Sequence, residues 1–210
     1  MRIQNELLEI KALLGQATAA AGIAAIGGGN EVPQMERLTA ALERAVVLSR
    51  NTLESLRPCV EFLQGGKPVL PYVAVGGTVR LLNGRWLHIR LDTLLPHCRF
   101  QSPGYLADTI TRLLDGFVEN GRRLPYYKKA LLVMDEHCSC ESRTVYDQDN
   151  KGWKAVPNAL KGRLFPDDDQ FSLGVALLSA ESDELWCDIY VLPADDAWEF
   201  FSIRQGGMLF

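Results

Sequence analysis

Apolar residues at Ile3, Leu7, Ile10 and Leu14 recur at steps of three and four, which lays them along one stripe of a helix over about 3–25. Gly27-Gly28-Gly29-Asn30 interrupts the pattern. Pro33 suits the first turn of a second helix, where a missing N–H costs no hydrogen bond. Met35, Leu38, Leu42, Ala45, Leu53, Leu56 and Val60 carry that helix to about Leu63, longer than the globular norm. Together they predict a helical hairpin over 1–64, whose apolar stripe needs a further surface to cover it. Gly65-Gly66-Lys67-Pro68 marks the expected boundary with a second region, 66–210.

The period then changes to two. Residues 78–82 and 85–91 flank Asn83-Gly84, the pair a two-residue type I′ turn requires because both positions adopt positive φ. In the second strand Leu87, Ile89 and Leu91 face one side while Trp86, His88 and Arg90 face the other. Residues 104–120 predict a helix that buries Leu106, Ile110, Leu113, Leu114 and Phe117. Residues 129–135 form a near-continuous apolar run, as in a central strand. A short helical piece near 151–161 is closed by Gly162. Phe171, Leu173, Val175 and Leu177 alternate, as do Leu185, Cys187, Ile189 and Val191, across a polar turn at Ser182-Asp183. A last helix runs from about 194 to 204. The fold class expected is α/β in the α+β sense: a mixed five-stranded sheet with helices, preceded by the helical hairpin.

Composition narrows the function classes. Hydrophobic residues make up 47% and charged residues 23%, which supports a packed core and excludes a disordered chain. The net charge is −4, and from residue 66 onward 16 Lys and Arg stand against 19 Asp and Glu. A protein that merely coats nucleic acid relies on surplus cations, so only a local basic patch is compatible with this balance. The N-terminus lacks the layout of a signal peptide, and the small apolar run from Ala17 to Ile26 is too short to span a bilayer. A cytoplasmic protein without a membrane partner is expected. Five cysteines, odd in number and irregularly spaced, fit reduced thiols. His97-Cys98 and His137, Cys138 and Cys140 lack the paired spacing of a structural zinc site.

The chemistry concentrates between Asp147 and Gln170. Asp147-Gln148-Asp149-Asn150 is followed by Lys154, then Asn158-Ala159-Leu160-Lys161-Gly162, then Asp167-Asp168-Asp169-Gln170. Asp147 and Asp149 are two apart, so in extended chain they point to one side. A loop carrying Asp168 can return to that spot after one short helix. Three converging carboxylates with no Cys or His among them suit a hard ion such as Mg²⁺, which activates water and stabilises charge on a phosphodiester. Taken singly, Asp149 or Asn150 also suits a helix N-cap, Lys154 a solvated surface and Trp153 a packing role.

In this order the residues resemble the RusA family of Holliday-junction resolvases. Its signature is Asp-x-Asp-Asn, a Lys soon after, a helix ending in Ala-Leu, and Asp-Asp-x-Gln on the next turn. The resemblance covers about residues 74–192. It implies a homodimer that resolves four-way DNA junctions with Mg²⁺, for which Mn²⁺ can substitute, in the setting of phages and prophages. It further implies that Asp147, Asp149 and Asp168 bind the metal, that Lys154 stabilises transition-state charge, and that Asn150, Asp167 and Gln170 support them. Asn150 and Lys154 are one residue further apart than in the family pattern, a turn of about 100° on a regular helix. Pro157 falls where the motif helix should continue, so either the two departures compensate or the helix begins late. The basic cluster expected before the first Asp is reduced to Arg143. The alternative from another class is a resolvase-fold protein that has lost cleavage and serves a phage or mobile element as a binding or regulatory module.

Overall fold

The computed structural model describes residues 2–27, 29, 31–63, 75–97, 103–139 and 148–205, and among these the side chains of all but 2, 54–63 and 149. The boundary expected at 65–68 lies outside the described residues. The chain divides into two compact units. One contains α1 (Arg2–Ile26) and α2 (Glu31–Leu63) with Pro96–Tyr105 and Asn150–Gly152; the other contains Val75–Leu95, Leu106–Asp149 and Trp153–Phe210.

In the first unit α1 and α2 pair in opposite directions. Thr52 Oγ1 donates to Glu6 Oε2 at 3.0 Å and Arg44 Nη2 to Glu9 Oε1 at 2.9 Å. Along the same pairing Leu13, Ala17 and Ala20 on α1 and Ala41, Ala45 and Leu48 on α2 are buried. The small alanines make a narrow seam, and Leu7, Leu8, Leu14, Ile23 and Ile26 stay exposed. Ile3–Ile26 is long and apolar enough to cross a membrane by length and composition, a longer stretch than Ala17–Ile26. His97 and Tyr105 are fastened to α2: His97 Nδ1 lies 2.6 Å from Glu43 Oε2, and the Tyr105 N–H donates to Asn51 Oδ1 at 2.9 Å.

The second unit is built on a sheet of β1 (Gly77–Leu82), β2 (Trp86–Leu91), β3 (Ala130–Cys138), β4 (Leu173–Glu181) and β5 (Trp186–Pro193), in the order β1-β2-β5-β3-β4. Only β3 and β4 are parallel. Asn83 and Gly84 take φ of 50° and 72°, the type I′ geometry their sequence requires, and fix the β1–β2 register. On one sheet face Trp86, Val133, Tyr190 and Leu192 pack with Phe200 of α5 (Ala197–Gln205). Tyr190 meets Phe200 edge-on at 5.1 Å, a favoured aromatic geometry. Leu87, Ile89 and Leu91 point to the other face and are fully buried. In α3 (Gly104–Glu119) Leu106, Ile110, Leu114 and Phe117 are buried, while Leu113 is only partly so.

Two features depart from the pattern. β3 continues three residues beyond Asp135, and both Asp135 and Glu136 are buried inside it. β4 and β5 do not pair: the turn after Glu181 carries the chain over the end of β3, where the Ser182 N–H donates to the Cys138 carbonyl at 3.0 Å. β4 is therefore an edge strand paired on one side, and Val175 stays 40% exposed despite its place in the alternation. Phe171 falls before the strand and is exposed.

Candidate functional site

The whole motif lies on the crossover from β3 to its parallel neighbour β4. Residues 148–150 and 152–154 form two separate 3₁₀ turns, and α4 (Ala155–Leu160) follows. Gly152, the first residue of the second turn, is buried, its N–H donating to the Pro96 carbonyl at 2.8 Å. A Cβ there would lie 2.6 Å from Pro103 Cγ, so only glycine fits. The extra residue is thus absorbed by the break between turns, and no regular helix rotates Lys154 by 100°. Pro157 is the third residue of α4, within the first turn, where the helix needs no N–H from it. The helix begins late.

Asp147 lies outside the described residues, and Asp149 is placed in the first turn without a described side chain. Asn150, part-buried, ends that turn. Gln148 Nε2 lies 3.4 Å from Ser179 Oγ, and the Ser179 carbonyl accepts from Arg204 Nη2 at 3.1 Å. Gln148 therefore lies toward the carboxyl ends of the parallel pair, where open α/β sheets place their ligand sites. Lys154 is exposed, with Nζ 5.8 Å from the centroid of part-buried Trp153, a cation–π contact.

The second half is tied together at the start of β4. Lys161 Nζ lies 3.1 Å from Asp168 Oδ1 and 3.8 Å from Asp167 Oδ1. The Asp168 N–H donates to Asp167 Oδ1 at 2.9 Å. Hydrogen bonds from Lys161 and then Asp167 hold the Asp168 carboxyl below its ordinary range, so it is ionised at neutral pH. Asp169 Oδ1 accepts the N–H groups of Phe171 and Ser172, and its Oδ2 accepts the Ser172 hydroxyl at 2.8 Å. That is a side-chain turn, and the Phe171 amide bond leads the causes that lower its carboxyl. Gln170 is exposed. The partners of Gln148 and Asp169 are Ser179 on β4 and Ser172 just before it, seven residues apart and roughly 23 Å at strand rise.

The all-oxygen donor set of Asp147, Asp149 and Asp168 fits a hard divalent ion, and the Asp167–Asp168 pair already cradles an ammonium. Among the described residues no group of three or more His, Cys, Asp or Glu stands ready to hold a metal.

A second cluster left little trace in the residue pattern. Asp188 on β5 is buried and accepts at both oxygens: His88 Nε2 lies 2.7 Å from Oδ1, Trp186 Nε1 2.8 Å and His137 Nε2 3.3 Å from Oδ2. Burial pushes its carboxyl up, but the His88 and Trp186 hydrogen bonds and the nearby imidazoles outweigh it and leave it lowered. Arg80 Nε donates to His88 Nδ1 at 2.8 Å, which leaves Nε2 as the ring nitrogen that donates to Asp188. The available signal was a lone carboxylate in the apolar run Trp186–Pro193.

No curated protein matches the chain. The model of a family of unknown function, DUF6100, matches residues 34–201, which is most of the sequence, and the chain belongs to that family.

Proposed function

We propose that this chain is a metal-dependent endonuclease acting on branched DNA, with four-way junctions as its substrate class. The observation that carries the reading is the ordered motif in the sequence between β3 and β4: Asp147, Asp149, Asn150, Lys154, Asp167, Asp168 and Gln170 in RusA-like order, with Gln148 beside Ser179 toward the carboxyl ends of a parallel pair. Asp147, Asp149 and Asp168 would hold Mg²⁺, or Mn²⁺ in its place, with Asn150, Asp167 and Gln170 in support. Bound there, the ion supplies activation of water and neutralisation of charge on the phosphodiester. Lys154, exposed beside Trp153, stabilises the same charge. The working form is a cytoplasmic homodimer, supported by the apolar side chains that α1 and α2 leave exposed. Titration of Mn²⁺ into wild type, Asp149→Asn and Asp168→Asn tests the shared site. One site per chain, weakened at least tenfold by either change, is the expected result; two variants with wild-type affinity would contradict it.

A second reading is favoured by a specific observation. Asp168 pairs with Lys161, and Ser179 and Ser172, the partners of Gln148 and Asp169, are seven residues apart, roughly 23 Å at strand rise. A resolvase-fold protein that binds branched DNA without cutting it fits that arrangement. Junction binding in EDTA with no Mn²⁺ site would select it.

A further inference from the structure

Between Glu119 and Asp135 the chain carries Arg122, Arg123, Lys128 and Lys129 and no carboxylate. All four are exposed, and so is Tyr126 at 57%. Tyr127, between them, is pinned. Its N–H donates to the Leu164 carbonyl at 2.8 Å, and its buried hydroxyl donates to the Arg85 carbonyl. Desolvation pushes that phenol up to about 12, so it stays a neutral donor at neutral pH. The Lys129 carbonyl accepts from the Ala194 N–H at 3.1 Å. The loop is therefore held at both its backbone and its one buried side chain, and its cations project from a fixed base.

The pin to Leu164 sets this loop beside the segment that carries Lys161 and Asp168. Carboxylates around it are already committed. Asp115 pairs with Arg163 at 2.5 Å, Asp168 with Lys161, and Asp196 with Arg85 at 3.1 Å and the Trp86 indole at 2.7 Å. Asp195, next to Ala194, and Glu119, at the end of α3, are exceptions, and set two exposed carboxylates against the four cations. In a chain of net charge −4, this is a local concentration of positive charge of the kind a phosphate backbone requires.

We propose that the 122–129 loop is the surface on which this protein grips the phosphate backbone of DNA. The proposal rests on the branched-DNA reading above and supplies the basic element that is reduced to Arg143 ahead of the motif. Four cations contact successive phosphates, and the flat exposed ring of Tyr126 lies against sugar or an unpaired base at the branch.

The test is binding of a fluorescent four-way junction by full-length protein in EDTA, where no metal-dependent cleavage interferes, from about 50 to 200 mM salt. The variant is Arg123→Gln/Lys128→Gln/Lys129→Gln; Arg122 is kept because it covers the Phe117 ring at 5.4 Å. The control is Lys11→Gln/Arg37→Gln, two exposed cations of the helical hairpin. Loss of three phosphate contacts lowers the salt slope by roughly three and weakens binding at low salt by at least tenfold, with the control unchanged. Wild-type binding that the loop variant matches in affinity and slope overturns the proposal and leaves the DNA reading standing. Binding that depends on the loop, without cutting when Mn²⁺ is restored, sustains the proposal and removes the endonuclease. No junction binding by wild type at 50 mM salt overturns both.

Discussion

Lys161 places its ammonium 3.1 Å from the Asp168 carboxylate, so the residue at the second half of the motif already carries a cation. Like-charge repulsion among the aspartates is thereby relieved at Asp168 in the metal-free protein. Asp168→Asn should change the metal-free Tm by no more than about 2 °C, as expected for an exposed pair. The extra stability that millimolar Mn²⁺ gives wild type should largely disappear in the variant, because only a ligand bound by the native state stabilises it. Thermal melts with EDTA and with Mn²⁺ check both parts; equal metal responses would remove Asp168 from any metal site.

Lys161→Gln is the complementary change. It removes the competing cation, so Mn²⁺ affinity should rise if Asp168 is a ligand and stay unchanged if Asp168 serves only the turn. Calorimetric titration of wild type and variant distinguishes the two.

The fold was largely legible because its devices are local. Asn83-Gly84 demanded one turn type, and that turn placed Leu87, Ile89 and Leu91 on the buried face without reference to anything distant. Pro157 signalled a disturbed helix, and the late start at Ala155 is the inexpensive resolution. Strand order was not legible. The polar turn at 182–185 looks like a hairpin, but β3 lies between β4 and β5, a nonlocal pairing that no local pattern encodes. The motif could be listed from the sequence but its placement could not: Asp149 and Asp168 are close in motif order, whereas their neighbours Gln148 and Asp169 are held at Ser179 of β4 and at Ser172 just before it. Asp188 was overlooked because its partners come from β2 and β3, distant in sequence.

The Asp188 cluster has a signed pH consequence. Its folded carboxyl is lowered, so its contribution to stability is present above the unfolded value near 3.9 and is lost as pH falls below that through the folded value. Asp188→Asn should destabilise the protein by about 2–4 kcal/mol at pH 7, since it removes the buried carboxylate that accepts from buried His88 and from partly exposed His137. The deficit relative to wild type should shrink in acid below about pH 4. Urea unfolding at several pH values measures it; a deficit constant down to pH 2.5 would contradict this assignment of the charge.

Gly152 is a test of how the motif is seated. Gly152→Ala forces a methyl against the rings of Pro103 and Pro96, which should cost about 1–3 kcal/mol. Chemical denaturation of the purified variant checks this; wild-type stability would mean that the two prolines do not clamp the break between the 3₁₀ turns.

The exposed apolar residues of the hairpin predict assembly. Leu8 is 64% exposed and Val46 46%, so Leu8→Glu/Val46→Glu should leave the protomer folded. Light scattering should report a dimer for wild type and a monomer for the variant. A wild-type monomer would leave this apolar face without the proposed partner.

The most direct measurement is cleavage of a synthetic four-way junction by the full-length protein, with Mg²⁺, with Mn²⁺ and with EDTA, alongside Asp149→Asn and Asp168→Asn. The expected result is nicking with either metal, none in EDTA, and a loss of at least a hundredfold in each folded variant. Intact junctions with wild type in both metals at low salt, or cleavage that either variant retains in full, would contradict the assignment of this motif as a metal-dependent endonuclease site.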